Sequence, residues 1–417
     1  MKFYMPNWED RVDPEFDFTN DSYSESHEIS PYENDYYAHQ IYKKKQPYDG
    51  ILFSLSNFQT KLKIKYDEQN QPMIRNKKNI RDYLKIQKYS RLKVMGDCGA
   101  FSYVAHHNPP PFYSVHHVAE MYHEFKFDFG VSPDHIAVGF IRFKEEGKKK
   151  YVKLSTKERE RRRMLTVQNS EEFINLVKEK HYSFKAIGVA QGYSPKSYIE
   201  SVISLVSQGY EYLALGGLVQ YSNLELLKIL HKVTPYMEGK KLHLFGVMRP
   251  GHITNFEKLG VTSFDSASYF RKAWLRSGQN YLSQEGVWYS AIRVPFSWNK
   301  NLIKNANDSN ISLQDLENLE TQAYDSLLRY SDGKLGIDTA LSSVIEYDKL
   351  LMRNSENIEN IKVKYRKTLE HKPWENCECE ICQEHGIDVM IFRGTNRNKR
   401  RGYHNTWVFK NKMMSSI

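Results

Sequence analysis

The fold class this sequence predicts is α/β: a (β/α)8 barrel with an N-terminal arm and a C-terminal helical subdomain that binds metal. Three observations predict it. Short apolar segments alternate with amphipathic helical patterns, several of those segments end in a polar residue or in glycines, and three cysteines crowd into six residues after a helical stretch. At 417 residues the chain is long enough to bury such a barrel and a second, smaller core.

The elements follow in order. Residues 1–45 are polar and rich in Tyr, Asp and Glu, and are expected as an arm packed on the barrel. The barrel is expected over 46–300, on strands GILFSL (50–55), LKVMGD (92–97), HIAVGFI (135–141), KAIGVAQG (185–192), YLALGG (212–217), LHLFGVM (242–248) and VTSFDS (261–266). Between them, Ile199, Val202, Ile203 and Val206 recur at i, i+3, i+4 and i+7 before Gly209, and Leu226, Leu227, Leu230 and Val233 mark the face of another helix. Strand and helix in alternation give right-handed βαβ units and a parallel sheet. Seven or so strands in about 250 residues favour a closed barrel over an open sheet. Residues 301–417 form the third region, mainly helical over 300–375 (LQDLENLETQAYDSLLRYSDG, then IDTALSSVIEYDKLLMRN at 337–354), followed by the cysteines and a basic tail.

Composition excludes several classes of function. No apolar run approaches a membrane span, and the acidic opening MKFYMPNWEDRVDPEFDF has no secretory pattern, so a cytoplasmic protein is expected. No G-x-G-x-x-G opens a helix after the first strand, which argues against a dinucleotide cofactor. The formal net charge is +10 and unevenly spread. Residues 1–37 hold ten acids against Lys2 and Arg11, a net −8, which leaves +18 on the rest. Basic runs stand at 144–153 (KEEGKKKYVK), 157–163 (KERERRR) and 396–401 (NRNKRR). With 29 tyrosines available for stacking, such a field suits a nucleic-acid partner, although any one run reads equally well as a solvated face.

The cysteines read Cys377-x-Cys379-x2-Cys382, with His404 after 21 further residues. Three thiolates and an imidazole make a closed tetrahedral set for structural zinc, with no open position for catalysis. His385 and His371 compete as fourth ligand. His404 is preferred because it ties the tail to the cluster.

Three carboxylates carry the chemistry. Asp97, Asp134 and Asp265 each have an ordinary explanation as a cap or turn residue. In a barrel, however, strand ends point to one face, where Asp97, Asp265, Gln191 and the pair Gly216–Gly217 meet.

On these residues the chain resembles the tRNA-guanine transglycosylases, zinc-containing (β/α)8 barrels that exchange guanine for a 7-deazaguanine. The resemblance runs in order from about 95 to 404. It covers Asp97-Cys98-Gly99-Ala100-Phe101, then Asp134, Ala190-Gln191-Gly192, Gly216-Gly217-Leu218, the segment FDSASY with Asp265, and Cys377, Cys379, Cys382 and His404. It implies Asp265 as nucleophile and Asp97 as general acid and base, or as a hydrogen-bond partner of the base only. It further implies base contacts from Asp134, Gln191, Gly216, Gly217 and Leu218, with stacking on Phe101, whose alternative is core packing. Zn2+ would be structural, one per chain, and no other cofactor is needed for a step that begins and ends with a glycosidic bond.

The departures refine the resemblance. SASYFRKAW stands where bacterial tRNA enzymes carry an L-P-T-R-type stretch, and Cys98 and Ala100 replace residues usual in the base pocket. The acidic opening is similar to the divergent branch that inserts 7-cyano-7-deazaguanine into DNA beside partner proteins of DNA-modification clusters. DNA is therefore the expected substrate and a 7-deazaguanine base the expected co-substrate, with no membrane partner; a homodimer is compatible with the sequence. The alternatives are a tRNA-acting enzyme, a hydrolase on the same barrel, and a non-catalytic, zinc-stabilised nucleic-acid-binding subunit.

Overall fold

The computed structural model describes residues 1–57, 79–145, 148–275, 278–351 and 357–414. Part of the basic run at 144–153 and the end of the helical pattern at 337–354 lie outside them. The chain forms two compact units, Met1–Trp8 with Tyr48–Ala267, and Glu9–Pro47 with Ser268–Ser416. These limits differ from the expected 1–45, 46–300 and 301–417. The first eight residues belong to the barrel unit, and the rest of the arm clusters with the C-terminal region.

The first unit is a closed barrel of eight parallel strands: β1 (Lys2–Pro6), β2 (Gly50–Ser54), β3 (Lys93–Asp97), β4 (Phe129–Val131), β7 (Lys185–Ala190), β8 (Tyr212–Leu215), β9 (Lys241–Leu244) and β10 (Val261–Asp265). β1 closes the ring by pairing with both β10 and β2. An antiparallel hairpin of β5 (Phe140–Glu145) and β6 (Lys148–Lys153) follows β4. Tyr4, Leu52, Met95, Val131, Ile187, Val189, Tyr212 and Ala214 fill the interior, so the barrel is a packed core and not a channel. Helices Pro195–Ser207 and Asn223–Val233 begin where Ser194 and Ser222 each cap an amide three residues on.

Five of the expected strands sit within a residue or two of their predicted limits (50–54, 93–97, 185–190, 212–215 and 261–265), and LHLFGVM contributes 242–244 to the strand Lys241–Leu244. HIAVGFI is a correction, because the fourth barrel strand is Phe129–Val131 and residues 135–139 have no strand structure. That segment is buried nonetheless, with His135, Ile136 and Ala137 almost inaccessible. Side chains, not a neighbouring strand, satisfy its backbone. Thr166 Oγ1 takes the His135 amide at 2.9 Å, Gln191 Oε1 takes the Ala137 amide at 3.4 Å, and Arg162 donates to the Ile136 carbonyl at 3.2 Å.

The second unit is mainly helical, with Lys300–Asp308, Leu313–Ser331, Ile337–Asp348, Ile358–His371 and Gly394–Val408 as its longer members. The basic run at 396–401 does not face solvent. Arg397, Arg400 and Arg401 are at most 2% exposed. Arg397 pairs with Asp21 and Asp388, and Arg401 donates to the carbonyls of Ala273, Val389 and Ile391. In the first unit, Arg162 and Arg163 of the run at 157–163 are also buried, paired with Glu158 and Glu160 along the helix Thr156–Glu179. The run at 396–401 is thus not the open phosphate-binding face its charge suggested, and the run at 157–163 keeps only the cations Lys157, Arg159 and Arg161 exposed or half-buried. No helix among the described residues is long and apolar enough to cross a membrane.

Candidate active site and metal cluster

Each carboxylate of interest stands at or just beyond the C-terminal end of a barrel strand. Asp97 ends β3, Asp265 ends β10, and Asp134 lies three residues past β4. Parallel strands put these ends on one rim, so residues up to 168 positions apart in sequence share one mouth. Asp265 is 5% exposed, and its Oδ1 accepts the Gly246 amide at 2.8 Å. Gly246 makes this contact at φ +66°, a backbone conformation that other residues adopt only with strain.

Asp97 is pushed up to about 7, first by burial and then by the charge of Asp134, with a smaller push from Asp265. Hydrogen bonds from Ser54 and the Gly99 amide act against this. A carboxyl group poised there can both give and take a proton near neutrality.

Asp134 is buried and its pKa is raised, mainly by burial. Gln191 Nε2 donates to its Oδ2 at 2.5 Å and the Cys98 thiol donates to its Oδ1 at 3.3 Å. Burial also pushes the Cys98 thiol well above its ordinary range, which keeps it a donor. Gln191 is itself oriented, because its Oε1 accepts the Ala137 amide. The glycine pair makes room for it. A Cβ on Gly216 would lie 2.2 Å from Gln191 Nε2, and one on Gly217 (φ +71°) would lie 3.0 Å from Gln191 Oε1. Leu218 is fully buried beside them, whereas Phe101, on the single turn Ala100–Tyr103, is 74% exposed. Such exposure excludes core packing as the explanation of Phe101.

One residue at this rim was missed from sequence. His243, in β9 and fully buried, places Nε2 3.3 Å from Asp265 Oδ1 and Nδ1 2.6 Å from Ser263 Oγ, which in turn contacts Tyr212 OH. A chain running Tyr212 to Ser263 to His243 to Asp265 is consistent with one tautomer, in which Nε2–H donates to the carboxylate. The available signal was its position, two residues before Phe245–Gly246 in LHLFGVM.

In the second unit, the Sγ atoms of Cys377, Cys379 and Cys382 lie 3.5, 3.3 and 3.3 Å from His404 Nδ1. All four residues are buried, and their ligand atoms lie within 4.8 Å of one another. His404 donates its Nε2–H to the Leu282 carbonyl at 2.8 Å, which turns the Nδ1 lone pair toward the sulfurs. His385 and His371 are engaged elsewhere, by Arg400 and Tyr289. Three sulfurs and one nitrogen so placed could hold a metal ion, and the donor set fits a soft, four-coordinate one.

The family model described as Queuine tRNA-ribosyltransferase matches residues 149–414. A protein named DNA-guanine transglycosylase, from Salmonella montevideo, is 33% identical over 429 aligned positions, spanning 100% of this chain and 97% of its own. The chain thus belongs to the queuine tRNA-ribosyltransferase family and is a pentosyltransferase, a guanine transglycosylase.

Proposed function

We propose that this enzyme replaces guanine in DNA by a 7-deazaguanine, 7-cyano-7-deazaguanine in particular, through a covalent glycosyl–Asp265 intermediate. The observation that carries the choice of DNA is the end-to-end likeness to a relative named for that substrate. The family description names tRNA, which makes a tRNA substrate the second reading.

In the first half-reaction an Asp265 carboxylate oxygen attacks C1′ of the target nucleotide. The C1′–N9 bond breaks as the ester forms, and Asp97 gives its proton to the departing guanine. The incoming base then loses its N9 proton to Asp97, its nitrogen attacks C1′, and the ester bond breaks to release Asp265. Atoms and charge balance without a redox partner. Gly246 and His243 both bind Oδ1, an arrangement that supports Oδ2 as the attacking atom. Asp134 and Gln191 accept and donate hydrogen bonds along the purine edge, the backbone of Gly216, Gly217 and Leu218 reads O6 and the 7-substituent, and Phe101 stacks on the base. Cys377, Cys379, Cys382 and His404 would hold Zn2+, which with four protein ligands serves the fold and leaves the barrel chemistry to the carboxylates.

Incubation of the protein with labelled DNA or labelled tRNA, followed by denaturing electrophoresis, tests the assignment. A covalent adduct with DNA that disappears in Asp265→Asn is expected. Adduct with tRNA alone overturns the DNA assignment, and an undiminished adduct in Asp265→Asn removes the nucleophile role. Supplying 7-cyano-7-deazaguanine and analysing the nucleosides of the product identifies the incoming base.

A further inference from the structure

We infer that the β5–β6 hairpin is the DNA-gripping element of the barrel, its outer face contacting the strand that carries the target guanine; this rests on the DNA assignment above. The sequence offered three basic runs for a polyanion. The run at 396–401 is largely internal, with Arg397, Arg400 and Arg401 buried, and in the run at 157–163 Arg162 and Arg163 are buried while Lys157 is exposed and Arg159 and Arg161 are half-buried. The third belongs to the hairpin. Over 140–153 it carries six basic residues against two acidic ones, a formal +4.

Register turns that charge into a surface. Directly opposed residues of an antiparallel pair share a face, and alternate pairs share it again. Phe140 faces Lys153 and Arg142 faces Tyr151, so these four lie on one side, while Ile141 and Val152 lie on the other. Ile141 is 5% exposed and marks the inner side, on which its partner Val152 is 40% exposed, whereas Phe140 and Tyr151 are 56% and 65% exposed on the outer one. Arg142 and Lys153 are exposed as well, and the Arg142 guanidinium lies 5.3 Å from the centre of the Tyr151 ring. Two aromatic rings and two cations on one ribbon face match a nucleic-acid strand, which offers bases to stack on and phosphates to neutralise. An exposed ribbon of this kind has no use for its aromatics in the core.

The hairpin's root is tied to the base pocket. Its first residue is six positions beyond Asp134, and the Leu154 amide bonds the Gly139 carbonyl at 2.9 Å to close its base. Gln220, two residues past Leu218, donates to the Phe140 carbonyl at 2.8 Å. The outer face therefore starts beside the loops that read the base.

The experiment is fluorescence anisotropy with a labelled guanine-containing DNA duplex, over a series of salt concentrations, with labelled tRNA in parallel. Arg142→Ala/Tyr151→Ala and Arg142→Glu/Lys153→Glu are compared with Lys228→Gln/Lys232→Gln, an exposed pair on the helix Asn223–Val233. Thermal melting of each variant checks that it is folded. The hairpin variants are expected to bind the duplex about tenfold or more weakly, with the salt slope reduced by about one for each cation removed, and the control pair as wild type. Hairpin variants that bind the duplex with wild-type affinity and slope overturn this assignment alone. Wild-type protein that binds tRNA and not the duplex overturns the DNA assignment on which it rests.

Discussion

His243 Nε2 stands 3.3 Å from Asp265 Oδ1, at the end of a buried hydrogen-bond chain that begins at Tyr212. A carboxylate held by one oxygen presents the other in a fixed direction, and small misplacements of a reacting group are costly. His243→Ala is expected to slow adduct formation by about 100-fold with little change in KM for the base. His243→Gln, which keeps an N–H donor, is expected to recover part of the loss. Single-turnover kinetics separate the two effects, and equal rates in wild type and His243→Ala refute the positioning role.

Asp97 gives a pH signature. Because its carboxyl is raised from 3.8 to about 7, first by burial and then by Asp134, the protonated acid persists to neutrality. Guanine release should therefore slow as pH rises through about 7.

The same shift affects stability. Between the two pKa values the folded state binds more protons at Asp97 than the unfolded chain, so stability falls as pH rises across that window. The shift sets an upper bound of about 4 kcal/mol, lowered by solvent at the mouth. Asp97→Asn is expected to be inactive yet more stable than wild type at pH 8, and less different at pH 4. Urea melts at both pH values are the check.

Gly216→Ala would drive a methyl group into Gln191 Nε2, 2.2 Å from the ideal Cβ position. Either the glutamine leaves Asp134 or the strand end shifts. Base affinity is expected to fall by about tenfold or more, since a lost buried hydrogen bond to a charged group costs about 1.5–3 kcal/mol. Competition binding of the free base measures it.

The metal cluster predicts about one zinc per chain by elemental analysis. Cys379→Ser is expected to lose most of it. Chelation should lower the melting temperature of the wild type, and re-addition of zinc should restore it. Metal-free protein that melts as the holoprotein does would falsify a structural role.

Arg397→Ala distinguishes burial from nucleic-acid contact. It leaves Asp388 without its cation, while Asp21 keeps Arg393, at a cost of about 3 kcal/mol, with unchanged DNA affinity in the fraction that remains folded.

How far these features were legible in sequence depended on what each residue needed from its neighbours. Asp97, Gln191, Gly216 and Asp265 stood out because apolar strands ended on them. Two barrel strands did not. Lys2–Pro6 merged with the acidic segment after it, and Phe129–Val131 is only three residues long. HIAVGFI was misread because its apolar character records burial, and a buried segment needs backbone partners but not a strand to supply them. His243 was silent because a lone histidine in an apolar strand looks like any other core residue. NRNKRR was misread for the reverse reason. A run of cations says nothing of the acids that meet it, here Asp21, more than 370 positions away.

That separation also sets an order of events for a nascent chain. Asp13 and Asp21 emerge more than 370 residues ahead of Arg400, which donates to the Asp13 carbonyl, and Arg397, which pairs with Asp21. Asp13 and Asp21 thus wait for these two partners while the barrel strands from Gly50 to Asp265 are made. The barrel strands can form first, and the arm is locked only when the last long helix, Gly394–Val408, leaves the ribosome.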